Sequence, residues 1–162
     1  MSDPALDFLR AHIRVQPRVL LILGSGLGAL GDALDDAVGI PFSDIPGFPA
    51  AHVLGHKGRL VSGMLEGVPC IALQGRFHMY EGHSAQSAAL PVRAAAALGA
   101  QILVVTNAAG GVDRSFRAGD LMLIDDHINF SGMNPLIGPV QPGEVRFPDM
   151  SQPYDRELMS IA

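Results

Sequence analysis

The sequence predicts an α/β fold, a three-layer sandwich around a mixed central sheet. Apolar, branched runs at residues 18–23 and 101–106 end in glycine-containing turns and read as buried strands. Segments of helical pattern separate them, and strands that alternate with helices define this class. A third feature, two apolar runs around Glu66-Gly67, reads as a hairpin with a two-residue turn, which makes the sheet mixed.

Taken in order, residues 7–13 read as a short helix that ends before Pro17. Residues 18–23 form a buried strand stopped by Gly24. Gly24-Ser25-Gly26-Leu27-Gly28 is a tight turn into a short helix reaching about Asp35. Residues 38–42 are a candidate strand that Pro41 pushes towards a sheet edge. A loop rich in proline and glycine covers 43–55. Strands at 59–65 and 68–73 make the hairpin. Residues 84–98 carry the clearest helical pattern: Ser84 can cap it, alanines fill it and Gly99 closes it. Pro91 is expected to bend it or start a new turn. A further buried strand at 101–106 ends in Asn107-Ala108-Ala109-Gly110-Gly111, and a third is expected at 120–128 after a turn at Ala118-Gly119. The last segment has Ser151 as a capping serine and then a helical pattern that stops barely two turns in, without a C-cap signal. This reads as a domain cut short.

The 162 residues suggest one domain over 1–162, and a hydrophobic content of 48% is ample for a core. The net charge of −5 carries no nucleic-acid footprint, so any anion must be held by a few local donors. The single cysteine, Cys70, lies in an apolar run and reads as a small buried hydrophobe. The first residues lack a basic region followed by an apolar one, and no apolar run approaches the ~20 residues that span a bilayer. No membrane association is expected, and a cytoplasmic location is the default.

Polar chemistry gathers after the strand that ends near Leu73. Gln74-Gly75-Arg76-Phe77-His78-Met79-Tyr80-Glu81-Gly82-His83 places a guanidinium, imidazoles, a phenol and a carboxylate at a strand end, where α/β proteins bind ligands. Arg76 and His78, two apart, point the same way from an extended chain and suit a phosphate or carboxylate. Glu81 can orient either one or act as a helix-start carboxylate. Tyr80 can pack on a sugar or simply sit at the surface. Ser25 and the glycine-turn N–H groups form an anion cradle, although Ser25 can equally be an N-cap. His56 lies in a glycine-flanked loop able to fold over a ligand, or to stay solvated. The Ala108 N–H can donate to an anion, or belong to a plain turn. His127 reads as a core or edge histidine.

The six histidines have no metal-binding spacing, and the nucleophile elbow G-x-S-x-G is absent. Gly26-Leu27-Gly28-Ala29-Leu30-Gly31 matches G-x-G-x-x-G, with Asp44 further on, so a dinucleotide-binding domain is an alternative. Against it stand the short helix, Pro41 in the second strand and a match that begins after the strand has ended.

Taken together and in this order, the motifs resemble the trimeric class of purine nucleoside phosphorylases. They are Gly24-Ser25-Gly26-Leu27-Gly28, Gly55-His56 with Gly58-Arg59-Leu60-Val61, and Gly75 to Gly82. They continue through Thr106 to Gly111, then Asp126-His127-Ile128-Asn129 and Asn134-Pro135-Leu136-Ile137-Gly138-Pro139. The methylthioadenosine phosphorylases share the plan but differ in the arginine–histidine loop. The resemblance implies a nucleoside phosphorylase-like fold, truncated at the C-terminus, and phosphorolysis of purine ribonucleosides to free base and ribose 1-phosphate. It implies that Ser25, Arg76, His78 and the Ala108 N–H hold phosphate, with His56 closing over it. His78, Glu81 and His56 would be the catalytic set, while Tyr80 and Phe130 would serve the ribose. It further implies no cofactor, inorganic phosphate being a co-substrate, and a homotrimer or other self-association. A non-catalytic remnant that binds phosphate or nucleoside is the other alternative.

Overall fold

The computed structural model describes residues 3–49, 57–141 and 143–162. The chain divides into two compact units, Met1–Ala108 and Ala109–Ala162.

The first unit opens with α1 (Pro4–His12), which begins earlier than the sequence pattern suggests. Asp3 caps it, its carboxylate accepting from the Ala5 and Leu6 amides, and Pro4 takes a first-turn position where no N–H is needed. Next comes β1 (Val19–Leu23), and then β2 (Asp35–Pro41), β3 (Arg59–Leu65) and β4 (Val68–Gln74). The unit ends with α2 (Ala85–Ala97) and β5 (Ile102–Val105). The five strands form one sheet in the order β2-β3-β4-β1-β5. β1 runs parallel to β4 and β5, whereas β2–β3 and β3–β4 are antiparallel, so the mixed α/β sheet holds.

The hairpin is built as expected. Glu66 (φ 49°) and Gly67 (φ 76°) both take positive φ, as a type I′ turn requires. α2 has Ser84 at its N-cap, the hydroxyl accepting from the Ser87 amide, and it runs through Pro91. Alternation along the strands sorts the core. Leu20, Ile22, Leu60, Ile71 and Leu73 pack on one face with Leu9 of α1 and with Ala95 and Leu98 at the end of α2. Leu21, Leu23, Val61, Cys70 and Ala72 pack on the other with Leu34. Cys70 is buried, and burial pushes its thiol pKa up, as befits a packing residue.

Several expectations need correction. The glycine turn leads into a 3-10 helix, Gly28–Ala33, and not an α-helix. Two glycines in six residues and no side-chain cap leave too little to propagate a longer one. β5 is not a buried strand: it lies at the sheet edge with β1 as its one partner, and Leu103, Val104 and Val105 are exposed. The strand expected at 120–128 does not form. A branched run needs a ladder partner, and no residues described in 109–162 supply one.

The second unit is built instead from side chain-to-backbone turns. Asp113, Asp120, Asn134 and Asp149 each accept from an amide within three residues. Its one helix among the described residues, α3 (Arg156–Ile161), is capped by Asp155 rather than Ser151. The Ser151 amide is already taken by the Asp149 carboxylate. No helix among the described residues is long and apolar enough to cross a membrane.

Ile71, fully buried, and Val104, on the exposed edge, make a paired test of this arrangement. Ile71→Ala is expected to cost about 2–5 kcal/mol in urea unfolding. Val104→Ala is expected to cost about 1 kcal/mol or less.

Candidate functional site

Because β1, β4 and β5 are parallel, their carboxyl ends emerge on one edge of the sheet. The antiparallel β3 brings its first residue, Arg59, opposite Gln74 at that same edge. The chains leaving β1 and β4 part in opposite directions. After β1, the Gly28 carbonyl lies on the β4 side and accepts from the Gln74 amide nitrogen at 2.5 Å. After β4, Arg76 reaches the β5 side and donates from Nη1 to the Thr106 carbonyl at 2.9 Å. After β1 the chain leads to Leu34 on one face and after β4 to α2 on the other, so a crevice opens at a topological switch point, where open α/β sheets bind ligands.

Thr106 ties the crevice together. Its hydroxyl accepts from the Gly24 amide at 2.8 Å and donates to the Ile22 carbonyl. A Cβ on Gly24 would sit 2.6 Å from the Thr106 carbonyl oxygen, so only glycine allows this approach. Gly26 adds a positive φ of 88° to the turn.

Arg76, His78 and Glu81 form a chain. Arg76 Nε donates to His78 Nε2 at 3.3 Å, and His78 Nδ1 lies 2.9 Å from the Glu81 carboxylate. An ionised carboxylate only accepts, so Nδ1 carries the proton and the Nε2 lone pair faces the guanidinium. The same carboxylate accepts from the His78 backbone amide, which fixes the ring at both backbone and side chain. The His78 and Glu81 side chains are 13% and 14% exposed, sheltered but within reach of solvent. Tyr80 stacks on His78, ring centroids 4.7 Å apart, and is otherwise exposed. Gly82, at φ 91°, closes the short 3-10 turn Met79–Glu81.

The other expected site residues fall as follows. Ser25 is exposed on the turn after β1, and Ala108 is exposed two residues after Thr106. Ser25 starts no helix, since the 3-10 segment begins at Gly28 with Leu27 before it and no side-chain cap. That removes its N-cap alternative. His56 lies outside the described residues. Phe130 belongs to the second unit and is exposed. His127 is no core or edge histidine: it lies in an exposed loop, with Nδ1 at 2.8 Å from the Tyr154 hydroxyl. The dinucleotide alternative fails on topology. β2 pairs antiparallel with β3 and not with β1, so Gly26, Gly28 and Gly31 open no βαβ unit.

Sequence reasoning missed the most heavily bonded group at this edge. Asp32 accepts from Lys57 at 2.6 and 2.8 Å, from Arg59 Nη2 at 2.8 Å and from the Gln74 amide at 2.9 Å. The Arg59 Nε also donates to the Gln74 carbonyl oxygen at 2.5 Å. Asp32, Lys57 and Gln74 line a cavity of about 340 Å³ together with the glycine turn. The usable signal was the pair of cations at Lys57 and Arg59, which share a face of an extended chain. Their acidic partner was hidden by its distance in sequence. Lys57's hydrogen bond first, and Gln74's next, pull the Asp32 pKa down to about 2. Among the described residues, no group of three or more His, Cys, Asp or Glu side chains could hold a metal ion.

The fold agrees with the comparisons. The chain belongs to the phosphorylase superfamily, whose family model matches residues 18–162. It is 55% identical to purine nucleoside phosphorylase 1 of Bacillus subtilis over 99% of this chain and 59% of that one. It is 50% identical to the purine nucleoside phosphorylase of Rattus norvegicus over 96% of this chain and 55% of that one. A crystal structure of a purine nucleoside phosphorylase with ribose-1-phosphate superposes with a TM-score of 0.90 at 42% identity, covering 98% of this chain and 60% of that one. The Schistosoma mansoni enzyme in complex with inosine gives 0.89 at 42% identity, covering 97% and 56%. The resemblance read from the motifs therefore holds. The chain spans 59% and 55% of the length of these two curated relatives.

Asp32 gives a pH test. Its folded pKa lies below the ordinary carboxylate value, so its contribution to stability is full above about pH 4 and is lost as pH falls towards 2. Asp32→Asn is expected to melt below the unchanged chain at pH 6, with the gap closing between pH 4 and 2. A gap that persists at pH 2 would assign the loss to something other than the charge.

Proposed function

We propose that this chain carries the phosphate half of a purine nucleoside phosphorylase site, acting on ribonucleosides of the inosine and guanosine type. The observation that carries the reading is the Arg76–His78–Glu81 chain, anchored on Thr106 beside the glycine turn at the switch point. A guanidinium bonded to an imidazole stands at the strand end that also carries the glycine turn, and a guanidinium with backbone amides is a donor set that suits a phosphate dianion. Support comes from relatives named as purine nucleoside phosphorylases and from neighbours solved with ribose-1-phosphate and inosine.

In this reading Ser25, Arg76, His78 and the Ala108 N–H hold phosphate, His56 closes over it and Tyr80 faces the ribose. A phosphate oxygen bonds to the anomeric carbon as the glycosidic C–N bond breaks. The bonding pair leaves with the purine, which takes up a proton. Such cleavage passes through an oxocarbenium-like state. A held phosphate supplies both the nucleophile and the compensating negative charge, so positioning and electrostatics carry the rate. Glu81 keeps His78 oriented through Nδ1, while phosphate oxygens compete with Nε2 for the Arg76 Nε–H. The reaction needs no cofactor, and the resemblance favours a cytoplasmic homotrimer, which light scattering on the purified protein would test.

The deciding experiment is phosphate-dependent release of hypoxanthine from inosine. Turnover that requires phosphate establishes the enzyme. Phosphate binding without turnover supports a non-catalytic binder. Arg76→Ala is expected to weaken phosphate binding by roughly ten- to a hundredfold, the loss of a charge-assisted hydrogen bond. The same change should cost about 1–2 kcal/mol of stability, since it removes one hydrogen bond to the Thr106 carbonyl and one to His78. Unchanged phosphate affinity would refute the assignment.

A further inference from the structure

The glycine turn after β1 has little of its own to hold its shape beyond one backbone bond, from the Leu27 amide to the Gly24 carbonyl. Gly24, Gly26 and Gly28 are the least restricted residues in a chain, and amides that must converge on an anion need outside support. One end of the turn is fixed, because the Gly24 amide is bonded to the Thr106 hydroxyl. The other end is fixed by a side-chain assembly drawn from two strands. Gln74 is 2% exposed, and its amide nitrogen has two protons. One goes to the Gly28 carbonyl and the other to Asp32, which leaves its oxygen to accept from Arg59. Every polar valence of this amide except one acceptor lone pair is thereby used. The Gln74 stem also presses on the turn: a Cβ on Gly31 would lie 2.7 Å from Gln74 Cγ. Asp32 in turn is gripped by Lys57 and Arg59.

We propose that Asp32, held by Lys57 and Arg59 and bridged to the Gly28 carbonyl through Gln74, is a positioning residue that sets the glycine turn in the shape that receives phosphate. This rests on the phosphate reading above. Glutamate could not replace Gln74 in this role, since a second carboxylate would face both Asp32 and the Gly28 carbonyl. Positioning and electrostatics make opposite forecasts here. Removing the Asp32 charge leaves Lys57 and Arg59 uncompensated at the edge of the crevice, which by charge alone attracts an anion more strongly. If Asp32 works by shaping the turn, phosphate binding weakens despite that added positive field.

The test is titration of inorganic phosphate, followed by calorimetry, into the unchanged chain and the Asp32→Asn, Gln74→Met and Arg76→Ala variants. Amide hydrogen exchange of residues 24–32 is measured alongside without phosphate. Asp32→Asn is expected to bind phosphate about tenfold more weakly or worse and to exchange faster across the turn, with Leu73 still protected. Equal or tighter binding overturns the proposal. Asp32 is exposed, so its variant carries the test even if Gln74→Met does not fold. Failure of the phosphate reading looks different: the unchanged chain binds no phosphate, or Arg76→Ala binds as well as it does. Either result removes the ligand from the proposal whatever the exchange rates are. Unchanged exchange in Asp32→Asn overturns the positioning role on its own.

Discussion

The close approach of Gly24 to Thr106 is the constraint on which the crevice depends. It brings the end of β1 against the end of β5 with no side chain between them, and it leaves the Thr106 carbonyl where Arg76 can reach it. From there the order of support runs outward. Arg76 meets His78, and Glu81 holds the ring from its far side. Any side chain at Gly24 would push the two strand ends apart and lengthen each later bond in turn. A single hydrogen atom in place of a methyl group thus separates a crevice from a gap.

In the proposed reading an acidic chain has to concentrate positive charge to hold an anion, and the cations at this edge divide into two kinds. Arg76 faces the crevice with its charge offset only at a distance, by Glu81 through the imidazole. Lys57 and Arg59 are balanced directly by Asp32. Among the described residues at this edge, Arg76 is thus the cation with no carboxylate directly on it, while Lys57 and Arg59 serve as struts. The exposed ion pairs add little to stability alone, as solvated pairs do. The buried amide of Gln74 turns them into a connected network, and connection is what makes such groups act in concert.

Much of this was legible in the sequence, because the relevant signals are local. The hairpin followed from two residues able to take positive φ, and α2 from Ser84, its alanines and Gly99. The polar edge followed from polar residues at the end of an apolar run. What stayed hidden depends on partners far along the chain. Asp32 means little until Lys57, Arg59 and Gln74 are beside it. The same limit explains the errors: residues 102–105 and 120–128 have the branched composition of buried strands. Composition reports what would fit a ladder, not whether a neighbour is there to complete it. The G-x-G-x-x-G match failed likewise, since its meaning lies in a parallel second strand that this sheet puts elsewhere.

The Glu66-Gly67 turn has a reach beyond its own two residues. It fixes the β3–β4 register, and that register sets Arg59 opposite Gln74 at the far end of the hairpin. Because successive side chains along a strand point to opposite faces, a slip of one residue would send Gln74 into the layer that holds Leu73 and swing Leu73 out beside Asp32. The tight turn thus works as an indexing stop. It lies at the far end of the hairpin from Gln74, yet it decides on which face of the sheet that amide emerges.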